Sequence, residues 1–237
     1  MSTLVLTAHG SRDPRSGANA EAVADRLRRM RPDLDVQLAF LELNAPNFVD
    51  VLAGLPDSRH AVVAPLLLAS AYHARLDIPE QIARAGAQGI RQADVLGEDD
   101  RLVTVLRERL TEIGVSPLDQ DLGVLVVAIG SSNLAANART AKVASRLAAG
   151  TRWAGATAFA TRPEASVARA ADQLRRRGAR RLVIAPWFLA PGFITDGVST
   201  FARDNGIRMA SPLGAHPLVA ETVLDRYDEA LAADAAA

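Results

Sequence analysis

No cysteine occurs anywhere in the 237 residues. That excludes disulfides, thiolate metal sites, iron–sulfur clusters and cysteine nucleophiles. Lysine is almost as scarce: Lys142 is the only one, and the remaining basic side chains are arginines. Excess charge of either sign is missing too, since 27 basic residues balance 27 acidic ones. With no long basic block, nucleic acid is not the expected partner. No apolar run reaches the length of a membrane span. The start of the chain lacks a basic region followed by a long apolar stretch, so no secretory leader is expected there. Together these absences lead us to expect a cytoplasmic protein with no membrane partner. Apolar residues make up 49% of the chain, enough for a substantial core.

The chain is organised around Thr3-Leu-Val-Leu-Thr-Ala-His9-Gly-Ser-Arg12. Leu4, Val5 and Leu6 form a short apolar run that reads as a buried parallel strand. His9 falls just past its carboxyl end, the edge at which open α/β sheets bind ligands. Gly10 permits a tight turn, and Ser11 and Arg12 lead into a helix over about Gly17–Met30. The spacing predicts further strands at Asp35–Leu41, in the first part of His60–Leu68, and at Ile90–Leu96. Helices are expected from Pro46 towards Leu52, capped by Asn44, then from Pro79, and over Asp100–Ile113. Alternating strands and helices point to a parallel sheet with right-handed crossovers. The loop 69–77 carries His73 and Arg75. Residues 114–121 are polar and turn-rich, and are expected to link two domains, 1–114 and 122–231.

The second domain repeats the first. The run ending Ile129-Gly-Ser131 repeats the run ending His9-Gly-Ser11, and 133–147 repeats the first helix. Ala158-Phe-Ala-Thr161 repeats Ala39-Phe-Leu-Glu42, and Leu182–Ala190 repeats Val62–Ala69. A period of about half the chain means duplication of a whole domain. The repeat fails at three polar positions. His9, Glu42 and His73 lie at or beyond strand carboxyl ends, and their counterparts are Ile129, Thr161 and Ile194. Two copies of one fold need the same framework but need not share a site. We therefore take these three residues as the functional candidates.

Two imidazoles and a carboxylate suit a divalent first-row metal. The carboxylate can also accept protons as a general base. His60 starts a strand on the opposite edge and reads as structural; His216 lies in a loop before Pro217 and is a weak candidate. A hydrolase using Ser11 with His9 lacks the Gly-x-Ser-x-Gly elbow and an evident third member. A non-enzymatic metal carrier using the same three residues remains open.

The chain resembles the sirohydrochlorin chelatases, cobaltochelatases and ferrochelatases within the class II chelatases. The anchors are His9-Gly-Ser-Arg12, Ala39-Phe-Leu-Glu-Leu43 with Pro46, and Pro65-Leu-Leu-Leu-Ala69 leading to His73 and Asp77-Ile-Pro79. The resemblance implies two tandem α/β domains, each a four-stranded parallel sheet flanked by helices, with the active site in the cleft between them. It implies a lyase that inserts Fe2+ or Co2+ into sirohydrochlorin, in sirohaem or cobalamin biosynthesis. The metal is then a substrate and no organic cofactor is expected. The metal residues fall on His9 and His73, with Glu42 as the acidic partner. The substrate bears eight carboxylates, so arginines and helix starts should meet it. Arg12, Arg75, Arg139 and Arg162 are candidates, with Ser11, Ser131 and Ser132 as donors whose alternative role is helix capping. Ile129 and Ile194 would present an apolar wall to the flat macrocycle. Phe159, Trp187, Phe188 and Phe193 are possible neighbours, Phe159 and Trp187 reading more readily as core. A monomer with two internal halves is expected. Insertion into another tetrapyrrole is the related alternative.

Overall fold

The computed structural model describes residues 2–56, 58–69 and 73–235; the side chains at 59, 73, 75, 165, 234 and 235 lie outside that description. The first half runs β1 (Thr3–Ala8), α1 (Pro14–Met30), β2 (Asp35–Phe40), α2 (Phe48–Ala53), β3 (Ala61–Pro65), α3 (Ile78–Arg84), β4 (Arg91–Gln92) and α4 (Asp100–Glu112). The second runs β5 (Leu122–Ala128), α5 (Leu134–Thr140), α6 (Val143–Ala148), β6 (Ala154–Phe159), α7 (Val167–Arg176), β7 (Arg181–Pro186), α8 (Phe193–Asp204), β8 (Arg208–Met209) and α9 (Pro217–Ala235). The strands form two parallel four-stranded sheets, ordered β2-β1-β3-β4 and β6-β5-β7-β8. This is the α/β architecture expected. Among the described residues no helix is long and apolar enough to cross a membrane.

The central strands are apolar on both faces because both faces are covered. Leu4, Val5 and Leu6 of β1, and Leu125, Val126 and Val127 of β5, have no exposed surface. Helix α1 begins at Pro14, three residues before its expected start. Asp13 caps it by accepting the Arg15 N–H, and Pro14 occupies the first turn. The Arg15 side chain also bonds the Asp13 carboxylate and holds it below the ordinary aspartate range. Ala20, Val23, Ala24 and Leu27 form the buried stripe of α1.

Two expected elements differ. The strand read at Ile90–Leu96 forms a ladder only at Arg91 and Gln92, opposite Val62 and Val63. In the same register the next partners end at Pro65, which has no N–H to give. Past Gln92 single bonds follow, from Ala93 N–H to Val63 O and from Leu96 N–H to Leu67 O. The single helix read at 133–147 is two, α5 and α6. Between them the Thr157 hydroxyl bonds the Ala141 carbonyl, an intrusion of the kind that breaks a helical ladder.

The compact units do not follow the sequence repeat. One comprises Met1–Asp99 with Ala215–Ala237, the other Asp100–Gly214. These units differ from the repeats at 1–114 and 122–231 because the last helix of each repeat packs on the other repeat's sheet. Helix α4 packs on α6 and β7. There Arg107 donates to the Arg146, Leu147 and Ala149 carbonyls at the end of α6. Helix α9 packs on α1, β3 and β4 and buries Val219, Val223 and Tyr227 completely. Arg226 fastens α9 to the end of the first stretch through Asp99, 3.1 Å, and the Val95 and Leu96 carbonyls.

A substitution near the chain's end should thus loosen the sheet made from its beginning. Tyr227→Ala should cost roughly 3–5 kcal/mol, and hydrogen exchange should show β1 and β3 amides losing protection while β5 and β7 keep theirs. Equal loss in both sheets, or loss in β5 alone, would contradict the helix exchange.

Candidate active site

In the strand order 2-1-3-4 the connection reverses direction between β1 and β3, the point at which such sheets bind ligands. His9 follows β1 directly, Glu42 follows β2, and His73 opens a π-helical turn, His73–Asp77, after β3. The two chain ends at β1 and β2 are held together by backbone. Leu41 N–H bonds Ala8 O at 3.0 Å and Glu42 N–H bonds His9 O at 3.1 Å, extending the ladder past the last paired residues. His9 Nε2 then lies 3.2 Å from Glu42 Oε1. Both side chains are partly open to solvent, at 39% and 54%. The structure therefore brings together two of the three expected residues. The side chains of His73 and Arg75 lie outside the described residues. Among those described, no three His, Asp or Glu side chains gather into a metal-binding group.

Gly10 and Asn44 keep this pair in register. Gly10 has φ +98°, and a Cβ there would stand 1.8 Å from the Glu42 carbonyl oxygen. Only glycine fits that approach. Asn44 was expected to cap α2. Asn47 does so instead, accepting the Val49 N–H, while Asn44 Oδ1 accepts the Ser11 N–H at 2.6 Å. Sequence reasoning missed this role because the bond joins residues 33 apart. An Asn two residues before the expected helix start at Pro46 looks locally like a capping candidate.

The second sheet has the same frame with other side chains. Thr161 N–H bonds Ile129 O at 3.0 Å, the counterpart of the Glu42–His9 bond, and the Thr161 hydroxyl donates to the same carbonyl. Asn137 accepts the Ser131 N–H, as Asn44 does for Ser11. The backbone donors expected at Ser11 and Ser131 are thus already engaged. Their hydroxyls accept the Asp13 and Asn133 N–H groups; Asp13 and Asn133, not the serines, cap the helices that follow. Ser132 is exposed.

Arg12 and Arg139 are exposed; Arg12 follows β1 by four residues, and Arg139 lies in the last turn of α5. Arg162 is pinned, donating to Glu164 and to the Ser131 carbonyl. Ile129 and Ile194 stand 46% and 41% exposed, and Phe193 and Leu134 beside the same sheet edge are more open still. Phe159, Trp187 and Phe188 are buried, Phe188 within the core of the second sheet. His216 Nδ1 accepts the Leu218 N–H at the start of α9, a capping role. His60 ends a short 3-10 turn before β3, at the opposite edge from His9.

The sequence profile of the CbiX family matches residues 3–113 and 123–230. A sirohydrochlorin cobaltochelatase of Priestia megaterium is 24% identical over 248 residues, covering 98% of this chain and 80% of that protein. A sirohydrochlorin ferrochelatase of the same organism is 33% identical over 143 residues, covering 56% of this chain and 52% of that protein. The solved structure of SirB from Bacillus subtilis with Fe3+ has the same fold, with a TM-score of 0.81 at 23% identity, over 97% of this chain and 96% of that one. Two profile matches, one to each half and together spanning nearly the whole length, show that the chain belongs to the CbiX family.

Proposed function

We propose that the protein inserts a divalent iron or cobalt ion into sirohydrochlorin. The observation that carries this reading is the difference between two equivalent strand ends. One presents an imidazole and a carboxylate 3.2 Å apart; the other presents an isoleucine and a threonine on the same backbone frame. The framework needs neither His9 nor Glu42, so their chemistry is there for a ligand. The family and its chelatase relatives name the ligand class.

Insertion of a divalent ion displaces two pyrrole N–H protons, which must leave the macrocycle as the metal enters. His9 and His73 hold the ion through ring nitrogens. Glu42 accepts a proton and passes it to solvent, to which it is already open. The second half offers Ile129, Thr161 and Ile194 in the equivalent places and holds no metal in this way. Arg12 and Arg139 pair with substrate carboxylates, while Arg162 takes part only by exchanging its Glu164 partner.

Anaerobic metallation of sirohydrochlorin with ferrous and cobaltous ions tests the reading. His9→Ala and His73→Ala should each remove most of the turnover in a folded chain. Glu42→Gln should lower kcat by roughly 100-fold with little change in substrate affinity. A chain that binds metal but never takes up sirohydrochlorin would be a carrier, and the proposal would fail.

Carboxylate–arginine pairing adds a salt dependence. Affinity for sirohydrochlorin should weaken as ionic strength rises through about 0.1 M, where screening acts over about 10 Å. Arg12→Ala or Arg139→Ala should raise KM more than it lowers kcat. Affinity indifferent to salt would remove the arginines from the binding account.

A further inference from the structure

Leu43, the residue after Glu42, combines two unfavourable features. Its φ is +65°, and it is the only non-glycine residue with positive φ among those described. The Asn44 N–H bonds the Glu42 carbonyl at 2.8 Å, closing a three-residue turn centred on Leu43. That turn, with positive φ at its centre, is the rare and strained variety. Its side chain is also 58% exposed, so packing does not explain leucine there. Glycine or asparagine would fit such a backbone better. The equivalent residue of the second half is Arg162, with φ −118° and no strain. The strained turn thus belongs only to the half that carries His9 and Glu42.

One further exposed leucine has the same relation to the site. In the first compact unit the exposed large apolar side chains, among the described residues, are Met30, Leu43 and Leu76. Met30 ends α1, at the opposite edge of the sheet. Leu76 lies in the turn opened by His73, three residues on, and is 55% exposed. Each strand end that supplies a candidate metal residue beyond His9 therefore also carries an exposed leucine. Strain tolerated at an exposed side chain points to a ligand contact.

We infer that Leu43 is a substrate-specificity residue. Held by its strained turn, it presses an apolar side chain against the ring face of the tetrapyrrole beside Glu42, with Leu76 supplying a second such contact beside His73. This inference rests on the proposed chelatase reading. It adds to the carboxylate–arginine contacts a contact that recognises the flat apolar core of the macrocycle.

The test uses the full-length protein and the variants Leu43→Gly, Leu43→Asn and Leu43→Met. Three quantities are measured: thermal midpoint, Co2+ affinity without tetrapyrrole, and steady-state metallation of sirohydrochlorin. Leu43→Gly and Leu43→Asn should hold or raise the midpoint, because both accept the positive φ. They should leave Co2+ affinity unchanged and raise KM and the sirohydrochlorin Kd roughly tenfold, the order expected for losing one apolar contact. Leu43→Met, which keeps the apolar surface, should retain the wild-type KM. Leu76→Ser should raise KM in the same direction. If Leu43→Gly lowers kcat at unchanged Kd, the turn serves only to aim Glu42 and the inference fails. It fails equally if all variants match the wild type in KM. Wild-type protein that turns over normally in those cases leaves the chelatase reading standing; wild-type protein that binds no sirohydrochlorin overturns both.

Discussion

The bond from the Glu42 N–H to the His9 carbonyl is the contact on which the site depends. It continues the β1–β2 ladder past its last paired residues and fixes the relative height of two side chains that belong to different strands. Parallel pairing alone would let the two chain ends diverge into loops. Gly10 allows the closer approach, since any side chain there would collide with the Glu42 carbonyl. Asn44 closes the arrangement from the far side through the Ser11 N–H. An imidazole and a carboxylate are thus presented together, both partly open to solvent.

The fold was legible in the sequence wherever apolar runs and turn residues agreed. Leu4–Leu6 and Val124–Val127 could only be buried strands, and the repeat between them made the architecture twofold. His9, Glu42 and His73 emerged from the same comparison, because a duplicated framework exposes the residues that stability does not require. What stayed hidden depends on contacts between residues distant in sequence. The packing of α4 and α9 on the other repeat's sheet leaves each helix's periodicity unchanged, so the compact units do not show in the sequence. Asn44 was assigned to its nearest helix because its true partner lies 33 residues back. At the break between α5 and α6, the Ala141 carbonyl accepts from Thr157, which lies on β6.

The exchanged helices bear on how a duplicated protein can let its halves diverge. Each sheet is finished by a helix from the other repeat. Neither half of the sequence therefore contains a complete core of its own. Tyr227, fully buried, contributes to the sheet that carries His9, although it lies near the far end of the chain. The absence of the three candidate residues from the second half leaves these packing relations unaffected. Ile129 and Thr161 stand just past β5 and β6, and Ile194 lies in the first turn of α8. Sequence change at a strand's carboxyl end and conservation of its buried middle are separable demands, and the two halves meet them differently.

The two strand ends also differ in what they cost. At the second, the frame is kept with a threonine whose hydroxyl satisfies the Ile129 carbonyl and an arginine in ordinary extended conformation. At the first, Leu43 sits in a left-handed conformation that costs about 1–2 kcal/mol and exposes an apolar side chain as well. Stability alone would remove both penalties by a change to glycine or asparagine. The second half shows that this backbone frame does not require them. The penalty therefore falls where His9 and Glu42 are, and where a bound macrocycle would turn the exposed leucine into a buried one. Binding would then recover as ligand contact the apolar burial that folding leaves unmade.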